Sequence, residues 1–205
     1  MDVTYLLTSI LGRRPQSVGY VHSYRGVGHL PKNLKSTENP SRRILLDNLP
    51  KLVRGCAATP YVTALIVVVD VDNHDCKEFL NELKSIHDTI APNSNVIFRI
   101  AIEEMEAWLL SDSPAILSAY PDANEPVLLG YVPDSICGTW ETLANAIHPG
   151  GAAALKAEGW PAPGIAKCEW ATKIGPHIDF DTNASPSFRK FLEALAPYGE
   201  LEIAD

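Results

Sequence analysis

The sequence predicts an α/β protein in which a mainly parallel sheet is flanked by helices and followed by a helical and loop-rich C-terminal extension. Two largely apolar runs, residues 63–69 and 95–101, lack the alternation of a strand with one wet face, which is typical of strands covered on both faces. Between them, apolar residues such as Phe79 and Leu83 recur at helical spacing after Asp75. The order strand, helix, strand predicts a βαβ unit with parallel strands.

Further elements are predicted on both sides of this unit. Upstream, the pattern predicts an amphipathic helix at residues 2–12, a strand at 17–22, a loop at 25–29 and a helix at 40–56. Downstream, a helix is predicted to follow the second buried strand at once, at residues 103–110.

The amino-acid composition changes after Asp112, where proline and glycine become frequent. We interpret this region as short helices and loops, closed by a helix at about residues 187–196 that Ser185 or Ser187 caps. The predicted domains are an α/β core at 1–112 and an extension at 113–205 packed on that core.

Composition excludes several classes of protein. No apolar run approaches the ~20 residues of a membrane helix, and the four cysteines are far apart, which disfavours a zinc site or a disulfide framework and predicts a cytoplasmic protein. The net charge of −8 excludes nucleic-acid binding by bulk attraction, although an acidic enzyme that uses metal remains compatible with it.

The strongest candidate site follows the first buried strand, where Asp70 and Asp72 stand directly after an all-apolar run. In open α/β sheets, ligands bind outside the carboxyl ends of the strands. Clustered carboxylates suit hard cations such as Mg²⁺. The alternative is that Asp75 caps the next helix and the other two aspartates only solvate a turn; two aspartates together favour the site.

A second acidic segment follows the other buried strand and contains Glu103, Glu104 and Glu106, with Trp108 close behind. Acidic residues in a first helical turn also stabilise the helix dipole, which explains Glu103 and Glu104 but explains Glu106 less well. If the two strands are neighbours, these carboxylates converge on Asp70 and Asp72, and such convergence can hold one or two metal ions for phosphoryl-transfer chemistry.

Other motifs are weaker. The glycine loop at residues 25–29, with Lys32, lacks the spacing of a phosphate-binding P-loop, so a plain turn is favoured. No G-x-S-x-G elbow exists, which disfavours a serine hydrolase, and the six histidines form no H-x-x-x-H pair.

Three segments carry a resemblance to a known family: VVVDVDNHDC, RIAIEEMEAWLLSD and SPSFRKFLEAL. Together they resemble a bacterial family of domains of unknown function, family 4276, which is related to the Toprim fold. The chain is also similar to the RloB-like proteins and, more distantly, to the nuclease domains of overcoming-lysogenization-defect proteins.

The resemblance implies a Toprim-like sheet flanked by helices and an acidic site for Mg²⁺ or Mn²⁺. Asp70 and Asp72 match the D-x-D of Toprim domains, and Glu104 and Glu106 match the family's E-x-E before the tryptophan. It implies Asp70, Asp72, Glu104 and Glu106 as catalytic residues, with Asp70, Asp72 and Glu106 as metal ligands. The implied partners are nucleic acid, a partner ATPase and a second copy of the chain in a homodimer, in a phage-defence or restriction context.

One departure bears on activity. A Toprim domain begins with a strand that ends in a glutamate, whereas this sequence starts with Met1-Asp2-Val3-Thr4 and its first glutamate is Glu38. Either the start lies too late in the gene, or the protein lacks that acid–base group.

Two functions from different classes therefore follow. The first is a metal-dependent nuclease of Toprim type that cuts DNA or RNA. The alternative is a non-catalytic subunit that binds a partner ATPase in a defence complex. A third reading, an effector phosphotransferase, is weaker because no nucleotide-cradling motif is present.

Overall fold

The helices and strands follow the predicted βαβ order in a mixed α/β chain that is 55% helical, with a two-stranded parallel sheet flanked by helices. This computed structural model describes residues 18–24, 26–31, 34, 43–71, 75–198 and 202–203. The strands are β1 (Val18–Gly19), β2 (Leu65–Asp70), β3 (Val96–Ala101) and β4 (Glu202–Ile203). The helices are α1 (Leu45–Ala58), α2 (Cys76–Ile90), α3 (Glu106–Leu110), α4 (Ser113–Ala119), α5 (Glu125–Leu129), α6 (Thr139–Ile147), α7 (Gly151–Ala157), α8 (Ala162–Ile174) and α9 (Pro186–Leu195).

The chain divides into two compact units. One, which we name the sheet unit, is Tyr24–Ile100; the other, the helical unit, comprises Met1–Ser23 and Ala101–Asp205. Strands β2 and β3 are hydrogen-bonded neighbours, and β1 pairs with β4 in parallel.

The two apolar runs predicted as buried strands form β2 and β3, and their side chains contribute to the core of the sheet unit. Side chains of β2 and β3 pack with one face each of α1 and α2, and the buried members are Leu46, Leu49, Val53, Val67, Val69, Leu83, Ile86 and Phe98. The helix predicted after Asp75 is confirmed as α2. Asp75 caps it, because the Asp75 carboxylate accepts hydrogen bonds from the backbone N–H groups of Lys77 (2.8 Å) and Glu78 (2.9 Å).

Several predicted boundaries are wrong. The predicted strand at 17–22 is reduced to Val18–Gly19, and the helix predicted at 40–56 begins at Leu45. The helix predicted from Glu103 begins at Glu106, because Glu103 adopts a left-handed backbone conformation (φ 60°) that a right-handed helix excludes. The predicted helix at 2–12 lies outside the described residues.

The predicted loop at residues 25–29 is confirmed over its described part, residues 26–29, where Gly26 forms an isolated parallel bridge with Ile44. Gly28 has φ 75°, and a Cβ at this position would collide with Ile44. Backbone N–H groups of Leu45 and Leu46 donate to the carbonyl oxygens of Gly26 and Val27, so the loop covers the first turn of α1. Arg25 and Lys32 lie outside the described residues.

The helical unit contains Pro- and Gly-bounded short helices, as predicted. The closing helix α9 begins one residue before the predicted boundary, and the Ser185 hydroxyl accepts the Phe188 N–H at 3.0 Å, which confirms Ser185 as its cap. Among the described helices, none has both the length and the apolar character needed to cross a lipid bilayer.

Candidate functional site

Asp70 ends strand β2, as the sequence predicts. Its side chain is half-buried, while its neighbours Val69 and Val71 are 3% and 2% exposed. The Asp70 carboxylate therefore lies at the carboxyl end of a buried, apolar strand. In α/β sheets, ligands bind outside such strand ends. Asp72, the other predicted ligand, lies outside the described residues.

The second acidic segment is organised around a lysine that the sequence analysis did not single out. Lys167, on α8, places its Nζ atom 2.7 Å from Glu104 Oε1 and 3.6 Å from Glu106 Oε1. The Glu106 side chain is 1% exposed, and those of Lys167 and Glu104 are largely buried. We name these three residues the Glu–Lys–Glu cluster.

Burial governs the charge of Glu106. Desolvation raises the pKa of the Glu106 carboxyl; the Lys167 ammonium opposes this rise and the Glu104 carboxylate adds to it. The single positive charge of Lys167 therefore balances the negative charge of one carboxylate, but not of both. Charges removed from water in this way are expensive, so such a cluster in an apolar unit indicates either a functional site or a specific structural pairing.

Glu103 serves a different purpose from its two neighbours. Its carboxylate accepts hydrogen bonds from the backbone N–H groups of Cys137 (3.2 Å), Gly138 (2.9 Å) and Thr139 (3.0 Å), and from the Thr139 hydroxyl. Burial opposes ionisation, but these bonds outweigh it and hold the pKa of the Glu103 carboxyl below its usual value. Glu103 thus caps α6 instead of its own helix.

Trp140 connects this cap to the cluster. Its backbone N–H donates to Glu104 Oε2 at 3.2 Å, and two lysine ammonium groups lie over its ring, with Lys167 Nζ 5.6 Å and Lys156 Nζ 5.2 Å from the ring centroid. The ring therefore contributes to holding both cations in place. Lys156 is in addition paired with Glu141 at 3.0 Å.

The W-L-L-x-D and S-P-S-F motifs meet in the core of the helical unit. Trp108 Nε1 donates to Ser187 Oγ at 2.8 Å, and the Trp108 ring stacks on Phe191 with ring centroids 5.2 Å apart. The side-chain amide of Asn183 donates to the Trp108 carbonyl oxygen. Asp112 Oδ1 accepts the Ala115 N–H at the start of α4. These motif residues are thus explained by packing and capping.

Asp134 binds the S-P-S-F motif at the start of α9. Its carboxylate accepts the Ser185 hydroxyl (2.7 Å) and the Ser187 N–H (2.7 Å), so it reinforces the start of α9. Like Glu103, Asp134 has a left-handed backbone (φ 58°). A carboxylate that receives several bonds offsets the cost of such a conformation. The sequence contains no signal for Asp134 beyond a Pro-Asp turn.

The structure brings together some predicted residues. Glu104 and Glu106 meet on Lys167 within the helical unit, whereas Asp70 belongs to the sheet unit. The convergence of the aspartates with the glutamates stays a prediction. Lys167 was missed because 63 residues separate it from Glu104; its only signal is a lysine placed among the small residues of α8.

The donor atoms can be compared with the needs of Mg²⁺. Two aspartates supply the hard oxygen ligands that this cation takes from proteins, with water completing its shell. Among the described residues, however, no group of three or more His, Cys, Asp or Glu side chains could hold a metal ion. At Glu104 and Glu106, the Lys167 ammonium already contacts both carboxylates.

Fold and site together define a mixed α/β protein with a strand-end aspartate and a buried Glu–Lys–Glu cluster. The chain matches the family described as Domain of unknown function (DUF4276) over residues 4–196, and it belongs to that family. No curated protein and no solved structure matches the chain.

Proposed function

We propose that this protein is a Mg²⁺- or Mn²⁺-dependent phosphodiester hydrolase of Toprim type that cuts DNA or RNA, in a phage-defence or restriction context. The observation that carries the proposal is the Glu–Lys–Glu cluster, in which Lys167 Nζ lies 2.7 Å from Glu104 and 3.6 Å from a Glu106 side chain that is 1% exposed. A cluster of charges removed from water is costly to fold, and a function that uses those charges is one reason for a protein to contain it.

Asp70 supports the metal-dependent part of the proposal. Its carboxylate ends a buried strand, and Asp72 follows two residues later in the sequence, so the two would supply oxygen ligands of the kind that Mg²⁺ binds. The donor chemistry of this pair fits the cation. When bound, Mg²⁺ supplies a polarised phosphate and a water molecule that is more readily deprotonated.

The proposal also includes residues of the helical unit, which is a compact unit of its own. Lys167 provides a positive charge that can neutralise charge developing on a phosphate, and Glu106, whose pKa is raised by burial, can hold or release a proton. Glu104 orients Lys167 through the 2.7 Å contact. Metal ligation by Glu106 also belongs to the proposal, and it requires that Lys167 withdraw from the carboxylate.

A nicking assay tests the proposal. Wild-type protein is incubated with supercoiled plasmid or labelled RNA and with Mg²⁺ or Mn²⁺, beside Asp70→Asn. The matched control is Asp75→Asn, which alters an aspartate five positions on in the same segment but keeps a good helix cap. We expect metal-dependent cleavage by wild type and by Asp75→Asn, and a loss of at least about 100-fold in Asp70→Asn.

Two results would count against the hydrolase. Equal cleavage by wild type and Asp70→Asn would show a contaminating nuclease or a different site. Absence of cleavage in every variant, with a partner ATPase present as well, would favour the alternative below.

A non-catalytic, partner-binding subunit is the second candidate, and a surface feature favours it. Three exposed apolar side chains, those of Leu129, Val132 and Ile136, lie within eight residues of sequence, from the last residue of α5 into the segment before α6. Exposed apolar residues that form a contiguous patch indicate an interaction surface, and the closeness of these three in the sequence favours such a patch. In addition, Glu103 and Asp75 are already used as helix caps, so part of the acidic signature is structural.

Co-expression with a candidate ATPase distinguishes the two functions. If the protein is a non-catalytic subunit, the double variant Leu129→Asp with Val132→Asp abolishes co-purification with the ATPase. Asp70→Asn then leaves both this co-purification and the protection of cells against phage unchanged. If Asp70→Asn abolishes protection while co-purification persists, the carboxylate acts in chemistry and the subunit reading fails.

A further inference from the structure

A cavity in the helical unit lies apart from every residue assigned above. It has a volume of about 260 Å³ and is formed by the ends of α4 and α6 together with α7, α8 and the turn between them. The lining residues that matter for its chemistry are Tyr120, His148, Glu158, Ile165, Glu169 and Trp170. None of them belongs to the Glu–Lys–Glu cluster.

Two polar atoms of this lining are buried without a hydrogen bond. Among the residues that the structure describes, the Tyr120 hydroxyl oxygen and His148 Nδ1 have no hydrogen-bond partner. A buried polar atom without a partner costs about 1–3 kcal/mol. Two such atoms on one cavity indicate that the cavity receives a ligand able to bond them.

The polarity of the missing partner follows from His148. Its other ring nitrogen, Nε2, lies 4.0 Å from the Glu158 carboxylate, which favours a proton on Nε2. Nδ1 then presents a lone pair, and the hydroxyl of Tyr120, which burial and the Glu169 carboxylate keep protonated by raising its pKa to about 12, also has lone pairs to offer. The Tyr120 hydroxyl can donate as well as accept, and His148 Nδ1 in this tautomer accepts, so a ligand that carries N–H donors can satisfy both atoms.

Charge points the same way. Two carboxylates, Glu158 and Glu169, line the cavity, and Lys173 pairs with Glu169 at 2.7 Å. Glu158 Oε1 lies 4.0 Å from His148 Nε2. With His148 in the neutral form that leaves a lone pair on Nδ1, the imidazole does not cancel the Glu158 charge, which a cation can then neutralise.

Apolar surface surrounds these polar groups. The indole of Trp170 and the side chain of Ile165 line the cavity. The ring face of a tryptophan attracts organic cations. Aliphatic and aromatic walls with few convergent polar atoms are typical of small-molecule sites.

We propose that this cavity, lined by Tyr120, His148 and Glu158, binds a small organic cation, an ammonium or guanidinium group carried on a short apolar body. The cation's N–H groups donate to the Tyr120 hydroxyl oxygen and to His148 Nδ1, and Glu158 neutralises its charge. The apolar body lies against Ile165 and Trp170. This site is independent of the proposed hydrolase, which does not use these residues.

Titration with model compounds tests the site. Butylammonium and butylguanidinium are the probes, and butanol and butyrate, of similar size but neutral and anionic, are the controls; binding is followed by chemical-shift changes of the indole N–H resonances. We expect saturable binding of the cations with dissociation constants up to about 10 mM, and at least about fivefold weaker binding of butanol and butyrate.

Variants locate the binding. Tyr120→Phe removes only an oxygen that has no partner, so the protein should fold as well as wild type, and cation affinity should fall about fivefold. Glu158→Gln should lower it about tenfold. The matched controls are Tyr61→Phe and Glu193→Gln, at exposed positions outside the cavity, and they should bind as wild type does.

Two outcomes would overturn the proposal. One is equal affinity for butylammonium, butanol and butyrate, which would mean an apolar pocket without charge selectivity. The other is cation binding that Tyr120→Phe and Glu158→Gln leave unchanged, or that never saturates, which would mean that water alone satisfies the two buried atoms.

Discussion

The Lys167 ammonium and the Glu104 carboxylate are joined by a 2.7 Å contact that ties the segment after β3 to the middle of α8. Glu106 lies on the other side of the same ammonium at 3.6 Å. One cation therefore faces two carboxylates in a largely buried position, and the balance of these charges decides both the stability of the helical unit and any chemistry performed there.

Removal of the cation is expected to destabilise the protein strongly. Lys167→Met leaves two carboxylates facing each other at low exposure, and the free energy of unfolding should fall by about 3 kcal/mol at pH 7. Urea denaturation measures this change. Lys173→Met is the matched control on the same helix, because its pair with Glu169 is solvent-exposed and should cost less than about 0.5 kcal/mol. Similar losses for the two variants would show that the cluster carries no special energy.

Glu106 makes stability depend on pH in a defined direction. Its pKa is raised in the folded state, so between the unfolded value of 4.5 and the folded value the native protein binds more protons than the unfolded chain. The contribution of Glu106 to the free energy of unfolding is therefore fully present below pH 4.5 and is lost as pH rises through the folded pKa. Glu106→Gln should gain stability relative to wild type by up to about 1.4 kcal/mol per pH unit across this window. A pH-independent difference in urea denaturation would contradict the raised pKa.

Glu103 should show the opposite dependence. Its pKa is lowered in the folded state, so its contribution is present above the unfolded value of 4.5 and is lost as pH falls through the folded pKa. Glu103→Gln should cost about 1 kcal/mol at pH 7, since a capping carboxylate becomes an amide and solvent screens part of the effect. Thermal unfolding of both proteins at pH 7 and pH 3 checks this, and the difference should shrink at pH 3.

The contact between the two sequence motifs predicts a further loss. Ser187→Ala removes the acceptor of the buried Trp108 Nε1–H, at 2.8 Å, and should lower the free energy of unfolding by about 1–3 kcal/mol. Ser118→Ala, at an exposed hydroxyl that bonds its own helix, is the control and should have little effect. Near-ultraviolet circular dichroism should change for Ser187→Ala alone, because Trp108 stacks on Phe191.

Local patterns predicted the sheet unit well because each signal lies within a few residues. The apolar run of β2, the Asp75 cap and the helical spacing of α2 all act over one element. The position of Asp70 follows from the same strand.

The helical unit was predicted less well because its decisive contacts are remote in sequence. Glu103 was interpreted as the first turn of its own helix, yet its carboxylate binds backbone N–H groups 34 to 36 residues away at the start of α6. Lys167 and Asp134 reach their partners across 63 and 51 residues. Propensity and periodicity do not report such pairings, since they depend on how helices pack.

Calorimetric titration of Mg²⁺ into wild type, Asp70→Asn and Asp75→Asn tests the central claim most directly, because it measures the metal site without any need for the correct substrate. The account predicts a saturable Mg²⁺ site in wild type and in Asp75→Asn, and loss of that site in Asp70→Asn while its thermal stability stays close to that of wild type. Equal Mg²⁺ binding by all three proteins, or no saturable binding by wild type, would contradict a metal-dependent role for the aspartate at the end of β2.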